Sequence, residues 1–288
     1  MNIVTEVQWL SVSFIYVLLA ILTILASKHV KNWLTPYKLD EELTGKDNPA
    51  LGLATSGYYV AVLIVFLGAT VGPSPAEVPP IGDLAITLGI DLAYAVAGIL
   101  LLNFNRVIVD RLVLHSFSVH KEIIEDRNVG TGAVEAGCLI ASAFSIAGAI
   151  HGEGDIVTAI VFYVLGLAVL LAFGWFYQLI TSYDIHKEIE ADNVPAGVAF
   201  GMNMVAIGVL LLKATYEDFY SWELNLSLLA FYAIGGFLAL LILKKIVDVT
   251  LLPGTTIHHE IVNDRNLNAA FIEGSTSIGI AASVFLLF

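Results

Sequence analysis

The chain has 288 residues, of which 58% are apolar and 14% are charged, and its formal net charge is -13. A soluble domain carries roughly 25% charged residues, and here the apolar residues fall in blocks long enough to cross a bilayer as helices, which takes about 20 residues. A soluble enzyme, a disordered chain and a nucleic-acid binder, which would need a basic patch, are therefore excluded.

Hydrophobic runs separated by polar stretches predict an all-α membrane protein with eight transmembrane helices. The predicted spans are 9–31, 49–71, 83–105, 129–151, 156–180, 195–214, 225–247 and 267–288. Spans three and seven are expected to run on toward Leu114 and Leu252, and Pro253 is expected to end the latter because proline cannot continue a helix. Cys138 is the only cysteine, so no intrachain disulfide can form.

The basic residues predict which way the spans cross the membrane. Cytoplasmic loops carry an excess of lysine and arginine, and twelve of the thirteen basic residues follow span one, three, five or seven. Only Lys213 lies on the other side, whose loops carry acids that include Glu77 and Glu153. Both termini are therefore expected to face away from the cytoplasm.

A related motif occurs four times, each time just before a span rich in small residues. The copies run from Asp40 to Asn48, from His120 to Asn128, from His186 to Asn193 and from His258 to Asn266, and the third is one residue shorter. Four residues after each asparagine comes a small residue, namely Gly52, Gly132, Gly197 and Ala270. Copies two and four match best, which indicates that a two-copy unit has been duplicated.

The duplication divides the chain into two membrane units, residues 1–151 and 152–288. Each unit has four spans, so both enter the membrane in the same direction, and a pseudo-twofold axis along the membrane normal is expected to relate them. Small residues let helix backbones approach closely, and spans four and eight are rich in them. Close packing of spans four and eight at the axis is therefore the predicted contact between the units.

At these residues the sequence resembles a known family. The loop with its His-x-Glu and Asp-Asn elements, followed by a span rich in glycine and alanine, is similar to the YjfL-type family of bacterial inner-membrane proteins, or domain of unknown function 350, in which the domain occurs in tandem. The resemblance covers nearly the whole chain and implies an integral inner-membrane protein, but it implies no reaction. The first copy lacks the histidine and the arginine, so no role is transferred to Asp40 or Glu42.

Asn48, Asn128, Asn193 and Asn266 stand where the N-caps of the following helices belong. A helix start leaves four N–H groups without partners inside the helix, and asparagine is among the best capping residues. The simplest interpretation is four capped membrane-entry helices. The alternative is that several positive helix ends converge on one anionic group.

The His-x-Glu pairs combine imidazole with carboxylate, which suits zinc or another divalent cation. They are His120 with Glu122, His186 with Glu188, and His258 or His259 with Glu260. Residues two apart point to different faces of a helix, so a metal site would need ligands from two copies. The simpler interpretation is an amphipathic interfacial segment with solvated charges.

Glu135 and Glu273 lie inside spans four and eight, each seven residues past its asparagine. That places both about 10 Å into the membrane, where a charged side chain is costly and normally faces the protein interior or water. Across the expected axis the two carboxylates would lie close together and share a proton or a cation. We therefore predict a proton- or cation-binding pair, which Arg127 and Arg265 gate or neutralise; a purely structural role in helix packing is the alternative.

Asp91 is a third acid inside a span, and its equivalent in the second unit is Leu229, so it breaks the repeat. It is predicted either to serve as an outer station on a cation path or to pair with a nearby polar group such as Tyr94. Asn103 and Asn105, near the inner end of span three, extend the polar residues of this span. Inside span six, Asn203 is a further polar candidate.

Two functions from different classes fit this pattern. The first is a small-cation or proton-linked transporter or channel that uses the buried glutamates. The second is a membrane scaffold whose repeated loops recruit a soluble cytoplasmic partner. Transport requires a hydrated path from Asp91 or the outer loops to the glutamates, whereas a scaffold requires a dry bundle with an ordered loop surface.

The remaining expectations concern cofactors and partners. No enzyme or cofactor motif is found in the sequence, although a bound cation is compatible with the buried acids. The lipid bilayer is the expected surrounding, and no nucleic-acid partner is expected. Stripes of small residues on spans two and six predict a homo-oligomer.

Overall fold

The computed structural model describes residues 3–71, 79–151, 154–251 and 254–287. Within these ranges it contains nine α-helices and no β-strand. They are α1 (Ile3–Leu34), α2 (Pro49–Thr70), α3 (Ile81–Leu112), α4 (Val129–His151), α5 (Ile156–Ile180), α6 (Ile185–Glu190), α7 (Val194–Thr215), α8 (Trp222–Ile246) and α9 (Leu267–Leu287). Of these described helices, all except α6 are long and apolar enough to cross a membrane. The prediction of an all-α protein with eight spans is confirmed.

The observed and predicted spans differ mainly at their ends. α3 ends at Leu112, beyond the predicted end of span three at residue 105. This agrees with the predicted extension of that span toward Leu114. α8 ends at Ile246 and continues as a π-helical turn, Val247–Leu251. The stop predicted at Pro253 lies outside the described residues, as do the acids Glu77 and Glu153.

Among the described helices, α2, α4, α7 and α9 form the core as a single row. α2 packs on α4, α4 packs on α7, and α7 packs on α9. Each follows one copy of the motif and therefore begins on the same side of the membrane, which we call the motif side. The row is consequently parallel, while α1, α3, α5 and α8 run in the opposite direction on its flanks.

Small side chains set the spacing of the row. A Cβ atom added to Gly57 of α2 would collide with Ala136 of α4. One added to Gly137 of α4 would collide with the backbone of Gly201 in α7. The hydrophobic effect does not drive helices together inside a lipid bilayer, so close van der Waals packing of this kind stabilises the row.

The flanking helices turn large apolar side chains outward. Leu10 of α1, Phe104 of α3, Ile160 of α5 and Phe231 of α8 are each more than half exposed. Such a surface is unfavourable in water but compatible with acyl chains. The chain is therefore a multi-pass membrane protein whose flanks contact the bilayer.

The predicted contact between spans four and eight is not formed. α7 lies between α4 and α9, and in the described residues those two helices do not pack along each other. Gly201 of α7 approaches Ala133 of α4, and Met202 of α7 meets Gly274 of α9. The face of span six from which an oligomer contact was predicted is thus used inside the chain. The predicted contact between spans four and eight was wrong because small residues mark a central helix without specifying its neighbour. The homo-oligomer itself stays a prediction.

The four motif copies fold into similar turns on the motif side. In the described residues, copies one, two and four contain π-helical turns, at Glu41–Gly45, Lys121–Glu125 and His259–Asn263. Copy three instead forms the short α-helix α6. A π-helical turn is commonly a one-residue bulge in an α-helix, so the shorter length of copy three explains the difference.

The asparagines cap the core helices as predicted. Asn128 Oδ1 accepts a hydrogen bond from the N–H of Thr131 at 3.1 Å, and Asn48 and Asn193 likewise accept from the third residue after them. Asn266 accepts from the N–H of Asn268 at 3.0 Å. The residue before each asparagine has positive φ, between 49° and 56°, which turns the chain into the core helix.

The same asparagines also join neighbouring copies of the motif. Their Nδ2 groups donate to a carbonyl of the next copy in three pairs, Asn48 to Ile123 at 2.8 Å, Asn128 to Ile189 at 2.6 Å and Asn193 to Ile261 at 2.8 Å. Aspartate caps helices as well as asparagine does, but its carboxylate cannot donate. The requirement for both an acceptor and a donor explains why the residue is asparagine.

Two substitutions of Asn128 separate capping from bridging. Asn128→Ala removes the cap and leaves the Ile189 carbonyl without its hydrogen bond. We therefore expect the free energy of unfolding, measured by chemical unfolding in detergent, to fall by about 2 kcal/mol. Asn128→Asp keeps the cap but places a carboxylate against that carbonyl and Glu122, and it should be at least as unstable. A stable Asn128→Asp protein would contradict the bridging role.

Candidate functional site

The two predicted glutamates are buried, but they lie in separate sites. Glu135 in α4 is 3% exposed and Glu273 in α9 is 2% exposed, as expected for charged groups in a membrane. Because α7 separates α4 from α9, the predicted carboxylate pair is not formed. Each glutamate instead meets a cation from a flanking helix, which neutralises its charge without a shared proton.

The Glu135 site consists of Lys31, Tyr58, Arg106 and Glu135. Arg106 Nε lies 3.1 Å from Glu135 Oε1, and Lys31 Nζ lies 3.7 Å from the same oxygen. Lys31 Nζ also lies 4.9 Å from the centre of the Tyr58 ring, a cation–π distance. Lys31 is 1% exposed, so its ammonium is shielded from water. The Glu135 carboxylate and the Tyr58 ring together stabilise the buried charge.

The Glu135 site retains unsatisfied hydrogen-bonding capacity. Within the described residues, Lys31 Nζ, both Glu135 carboxylate oxygens and Ser142 Oγ have no hydrogen-bond partner of normal geometry. Beside them lies a small void, bounded in part by Asp110 and Arg106, with about 10 Å³ of space for the centre of a water molecule. A void of that size holds about one water, and buried polar groups of this kind normally bind one.

Polar side chains continue from the Glu135 site along the flank of the first unit. Ser27 and Thr23 precede Lys31 at four-residue intervals on one face of α1, and both are buried. The Tyr58 hydroxyl donates to the Ser27 carbonyl at 3.3 Å and accepts from Asn103 Nδ2 at 3.0 Å. These groups lead away from the motif side toward the opposite face of the membrane.

Asp91 lies at the far end of these groups. It is 7% exposed and accepts a hydrogen bond from Tyr16 Oη at 2.8 Å, so its partner is on α1 and is not Tyr94. Tyr16 and Thr23 are separated by about 10 Å along the helix axis. We call the set the polar track: Tyr16, Thr23, Ser27, Lys31, Tyr58, Asp91, Asn103, Arg106 and Glu135.

The Glu273 site has a more complete set of hydrogen bonds. Lys244 Nζ lies 3.2 Å from Glu273 Oε1, and the Tyr177 hydroxyl donates to the same oxygen at 2.9 Å. Asn203 Nδ2 lies 3.4 Å from that oxygen, and Ser277 Oγ donates to Asn203 Oδ1 at 2.9 Å. The glutamate is therefore fixed by one cation and neutral donors.

The two sites occupy equivalent places in the repeat. Arg106 and Lys244 each lie 22 residues before the capping asparagine of their copy. Aligning the asparagines, and allowing for the deletion in copy three, matches Lys31 with Tyr177 and Tyr58 with Asn203. Duplication thus kept one glutamate and one cation in each unit and changed their neighbours.

The rest of the polar track has no counterpart in the second unit. The residues equivalent to Tyr16, Thr23, Ser27, Asp91 and Asn103 are Phe162, Val169, Phe173, Leu229 and Leu241. Phe162, Phe173 and Leu229 are buried, so this flank is filled by apolar packing. The first unit therefore joins its glutamate to the far side by polar groups, and the second does not.

A cavity of about 620 Å³ opens beside the Glu273 site on the motif side. Its lining includes Tyr183, Lys244, Asp248 and His258. The Tyr183 hydroxyl is buried without a hydrogen-bond partner among the described residues, and burial raises the pKa of Tyr183 well above its usual value. The cavity thus brings solvent to Lys244 from one side of the membrane.

The motif arginines do not neutralise the buried glutamates. Arg127 and Arg265 occupy the positive-φ position of their turns, and Arg265 Nη2 donates to the Ala191 carbonyl at 3.0 Å. Arg106, Lys31 and Lys244 provide the charge instead. The prediction that Arg127 and Arg265 neutralise the glutamates was wrong because sequence distance from the glutamate ignores the neighbouring flanking helices. A gating role for them stays a prediction.

The histidines of the His-x-Glu pairs each have a partner within the protein. His120 stacks on Tyr37, His186 Nε2 lies 2.6 Å from the Val113 carbonyl, and His258 Nδ1 lies 2.9 Å from Ser182 Oγ.

The glutamates of these pairs bind the capping asparagines, Glu122 to Asn128, Glu188 to Asn193 and Glu260 to Asn266. Among the described residues no three potential ligands are grouped as a metal site. The pairs therefore stabilise the motif turns.

The sequence interpretation missed the cations of both sites. Lys31, Arg106 and Lys244 were used only to predict orientation, although each lies within or beside an apolar run. The available signal was the recurrence of a basic residue 22 positions before the asparagine in copies two and four. The four-residue spacing of Thr23, Ser27 and Lys31 was a second signal.

A comparison with family models now identifies the chain. The model for DUF350, a Domain of Unknown Function, matches residues 5–150 and 153–286. The chain belongs to the DUF350 family. The resemblance inferred from the motif is thereby confirmed, in two tandem copies that each include four spans. No curated protein and no solved structure matches this DUF350 protein.

Removing the cation of the Glu273 site should destabilise this DUF350 protein. Lys244→Met leaves a buried carboxylate without its counter-charge, and breaking such a pair costs about 3 kcal/mol. Arg106→Met should cost less because Lys31 remains 3.7 Å from Glu135. Thermal unfolding in detergent measures both. Adding Glu273→Gln to Lys244→Met should restore most of the stability, and an equally unstable double variant would assign the loss to packing.

Proposed function

We propose that this DUF350 protein is a proton-linked transporter or channel of the bacterial inner membrane, and that protons use the polar track of the first unit. The observation that supports this most is the asymmetry of the duplication. Polar groups run from Asp91 to Glu135 in one unit, and apolar residues replace most of them in the other. Polar side chains inside a membrane are costly and are retained mainly where a function needs them.

Glu135 is the group that we propose takes up and releases the proton. As a carboxylate it is held by Arg106 and Lys31. Protonation removes that attraction, so the Lys31 ammonium is repelled by Arg106 and turns toward the hydroxyls at Ser27 and Tyr58. Deprotonation toward the void beside Asp110 restores the pair. Water is needed between Tyr16 and Thr23, because about 10 Å is too long for one hydrogen bond.

The charges of the track favour a proton over a metal ion. A metal cation at Glu135 would lie within a few ångströms of two fixed positive charges, and like charges at such distances repel strongly in a low-dielectric site. A proton also adds one unit of charge, but it forms a bond to the carboxylate itself, whereas a metal ion needs several oxygen ligands at once. Of the small cations considered from the sequence, we therefore propose the proton as the transported species. Proton movement along the polar track requires no other bound ion.

The orientation is also part of this proposal. Twelve of the thirteen basic residues follow span one, three, five or seven, and the resulting excess near the motif turns supports a cytoplasmic motif side. Asp91 and both termini would then face away from the cytoplasm. On this basis Asp91 and Tyr16 form the outer entrance of the track, and Asp110 lies at its inner end.

Proton flux in proteoliposomes tests the proposal. With a membrane potential imposed and a pH-sensitive dye inside, the wild-type protein should move protons faster than empty liposomes. Glu135→Gln should abolish this flux. Because the substitution also removes the counter-charge of Arg106 and Lys31, circular dichroism of the same sample checks that the variant is folded. The matched variant Glu273→Gln removes the equivalent carboxylate from the unit without a track and should keep the flux.

A milder substitution tests the track itself. Thr23→Val introduces the residue that the second unit has at Val169, with almost unchanged volume, and it should slow the flux without changing the melting temperature. Wild-type flux no faster than that of empty liposomes, or full flux in Glu135→Gln, would overturn the proposal.

A membrane scaffold remains the second candidate, and a separate observation favours it. The four motif turns lie side by side and expose charged side chains such as Lys121, Asp126 and Lys187 on the motif side. This ordered surface is what recruitment of a soluble partner would need. In that case Glu135→Gln would have no effect on the protein's activity in cells, whereas charge reversal of the turns would abolish it.

A further inference from the structure

α9, the last helix of the row, exposes small residues at the positions where the other core helices contact their next neighbour. In each core helix, the ninth residue after the asparagine faces the next helix of the row. Gly57 meets Ala136, Gly137 meets Gly201, and Met202 meets Gly274. In α9 that position is Ser275, which is exposed and meets no further core helix among the described residues. Gly279, one turn on, has no atom of the described residues within 4 Å of an added Cβ.

The first helix of the row exposes the complementary face. The fourth and eighth residues after the asparagine face the preceding helix, as Gly132 does toward Ala50 and Gly201 toward Ala133. In α2 these positions are Gly52 and Ser56. Ser56 is exposed, and an added Cβ on Gly52 would meet nothing within 4 Å in the described part of the chain. Both ends of the row thus present small residues that the interior steps bury.

A hydrogen bond is also incomplete at the end of the row. Asn48, Asn128 and Asn193 each donate to the carbonyl of the isoleucine in the next motif copy. Asn266 donates to Glu260 at 2.6 Å, but in the described residues no following copy supplies that carbonyl. The equivalent of the three isoleucines in copy one is Leu43, to which no capping asparagine of the described residues donates.

We propose that the row continues from chain to chain: α9 of one copy of this protein packs on α2 of a second copy, and the Asn266 amide donates to the Leu43 carbonyl of that copy. The proposed contact has the same form as the three contacts inside the chain, α2 with α4, α4 with α7 and α7 with α9. It uses residues at the same distances from the capping asparagines. All core helices keep one direction in the bilayer, so a second chain in the same membrane already has the required orientation.

The contact joins two different faces, so it is head-to-tail. Such an interface gives a closed ring or an open chain, depending on the rotation per copy. It is expected to be closest near the motif side. Farther along α2, Leu63 and Leu67 occupy the positions that Ala143 and Ala147 have in α4, and larger side chains keep backbones apart. This differs from the predicted oligomer through spans two and six, since only α2 contributes from that pair.

Disulfide crosslinking tests the predicted register. The internal steps pair the ninth residue of one helix with the eighth of the next, so Ser275 should contact Ser56 of the second copy. In a Cys138→Ala background, Ser56→Cys and Ser275→Cys in one chain should give dimers and larger species on oxidation in native membranes. When the two single-cysteine chains are expressed together, only dimers should form, and neither chain alone should crosslink.

A control distinguishes the contact from random collisions. Phe104→Cys lies at a similar distance from the motif side on lipid-facing α3 and is 56% exposed. Paired with Ser275→Cys, it should crosslink far less. Equal crosslinking of the two pairs, or none in either, would overturn the proposal.

A second measurement does not depend on disulfides. Gly279→Leu adds a side chain that a single copy accommodates but the proposed interface does not. The wild-type protein in nanodiscs should have the mass of two or more copies, and Gly279→Leu should reduce it to one copy without changing the melting temperature. Gly89→Leu, which also meets nothing within 4 Å in the described residues, should leave the mass unchanged. Single copies of wild type, with lipid alone on the face, would overturn the proposal.

Discussion

Backbone contact between parallel helices is the constraint on which the rest of this structure depends. Gly137 of α4 approaches Gly201 of α7 so closely that a Cβ atom would not fit. At that spacing the contact between α4 and α7 has no room for charged or large polar side chains. The buried charges therefore lie between the row and its flanking helices, and any ion path has to follow the same flank instead of a central axis.

Charge neutralisation sets the character of each flank. A carboxylate about 10 Å inside a membrane needs a counter-charge, and both units provide one at the equivalent position, Arg106 or Lys244. Around this common pair the units have diverged. The first surrounds Glu135 with a second cation and unsatisfied polar groups, whereas the second fixes Glu273 with Tyr177 and Asn203. The same arrangement of helices thus holds two different glutamates. Glu135 has room to change its partners, whereas Glu273 is fixed by its hydrogen bonds.

The repeated and the unrepeated residues have different roles. Residues that recur in the motif copies, such as Asn128 and Glu122, build the turns and join each copy to the next. Residues that occur in one unit only, such as Asp91 and Ser27, form most of the polar track and join it to the recurring Glu135. In a duplicated membrane protein, the residues required by the fold are kept in both units, and a polar group that breaks the repeat in a buried position needs another explanation.

The sequence by itself determined the eight spans, their alternating direction, the four capping asparagines and the burial of Glu135 and Glu273. These features follow from local chemistry: the length of an apolar run, the unpaired N–H groups at a helix start and the cost of a charge in lipid. Only the tertiary structure decided that α7 separates the two glutamates, that Lys31, Arg106 and Lys244 neutralise them, and that Arg127 and Arg265 belong to turns. Those outcomes depend on which faces of different helices meet. A stripe of glycine and alanine fits any neighbour that carries a similar stripe, so the order of helices in the row could not be read from the residues of one helix.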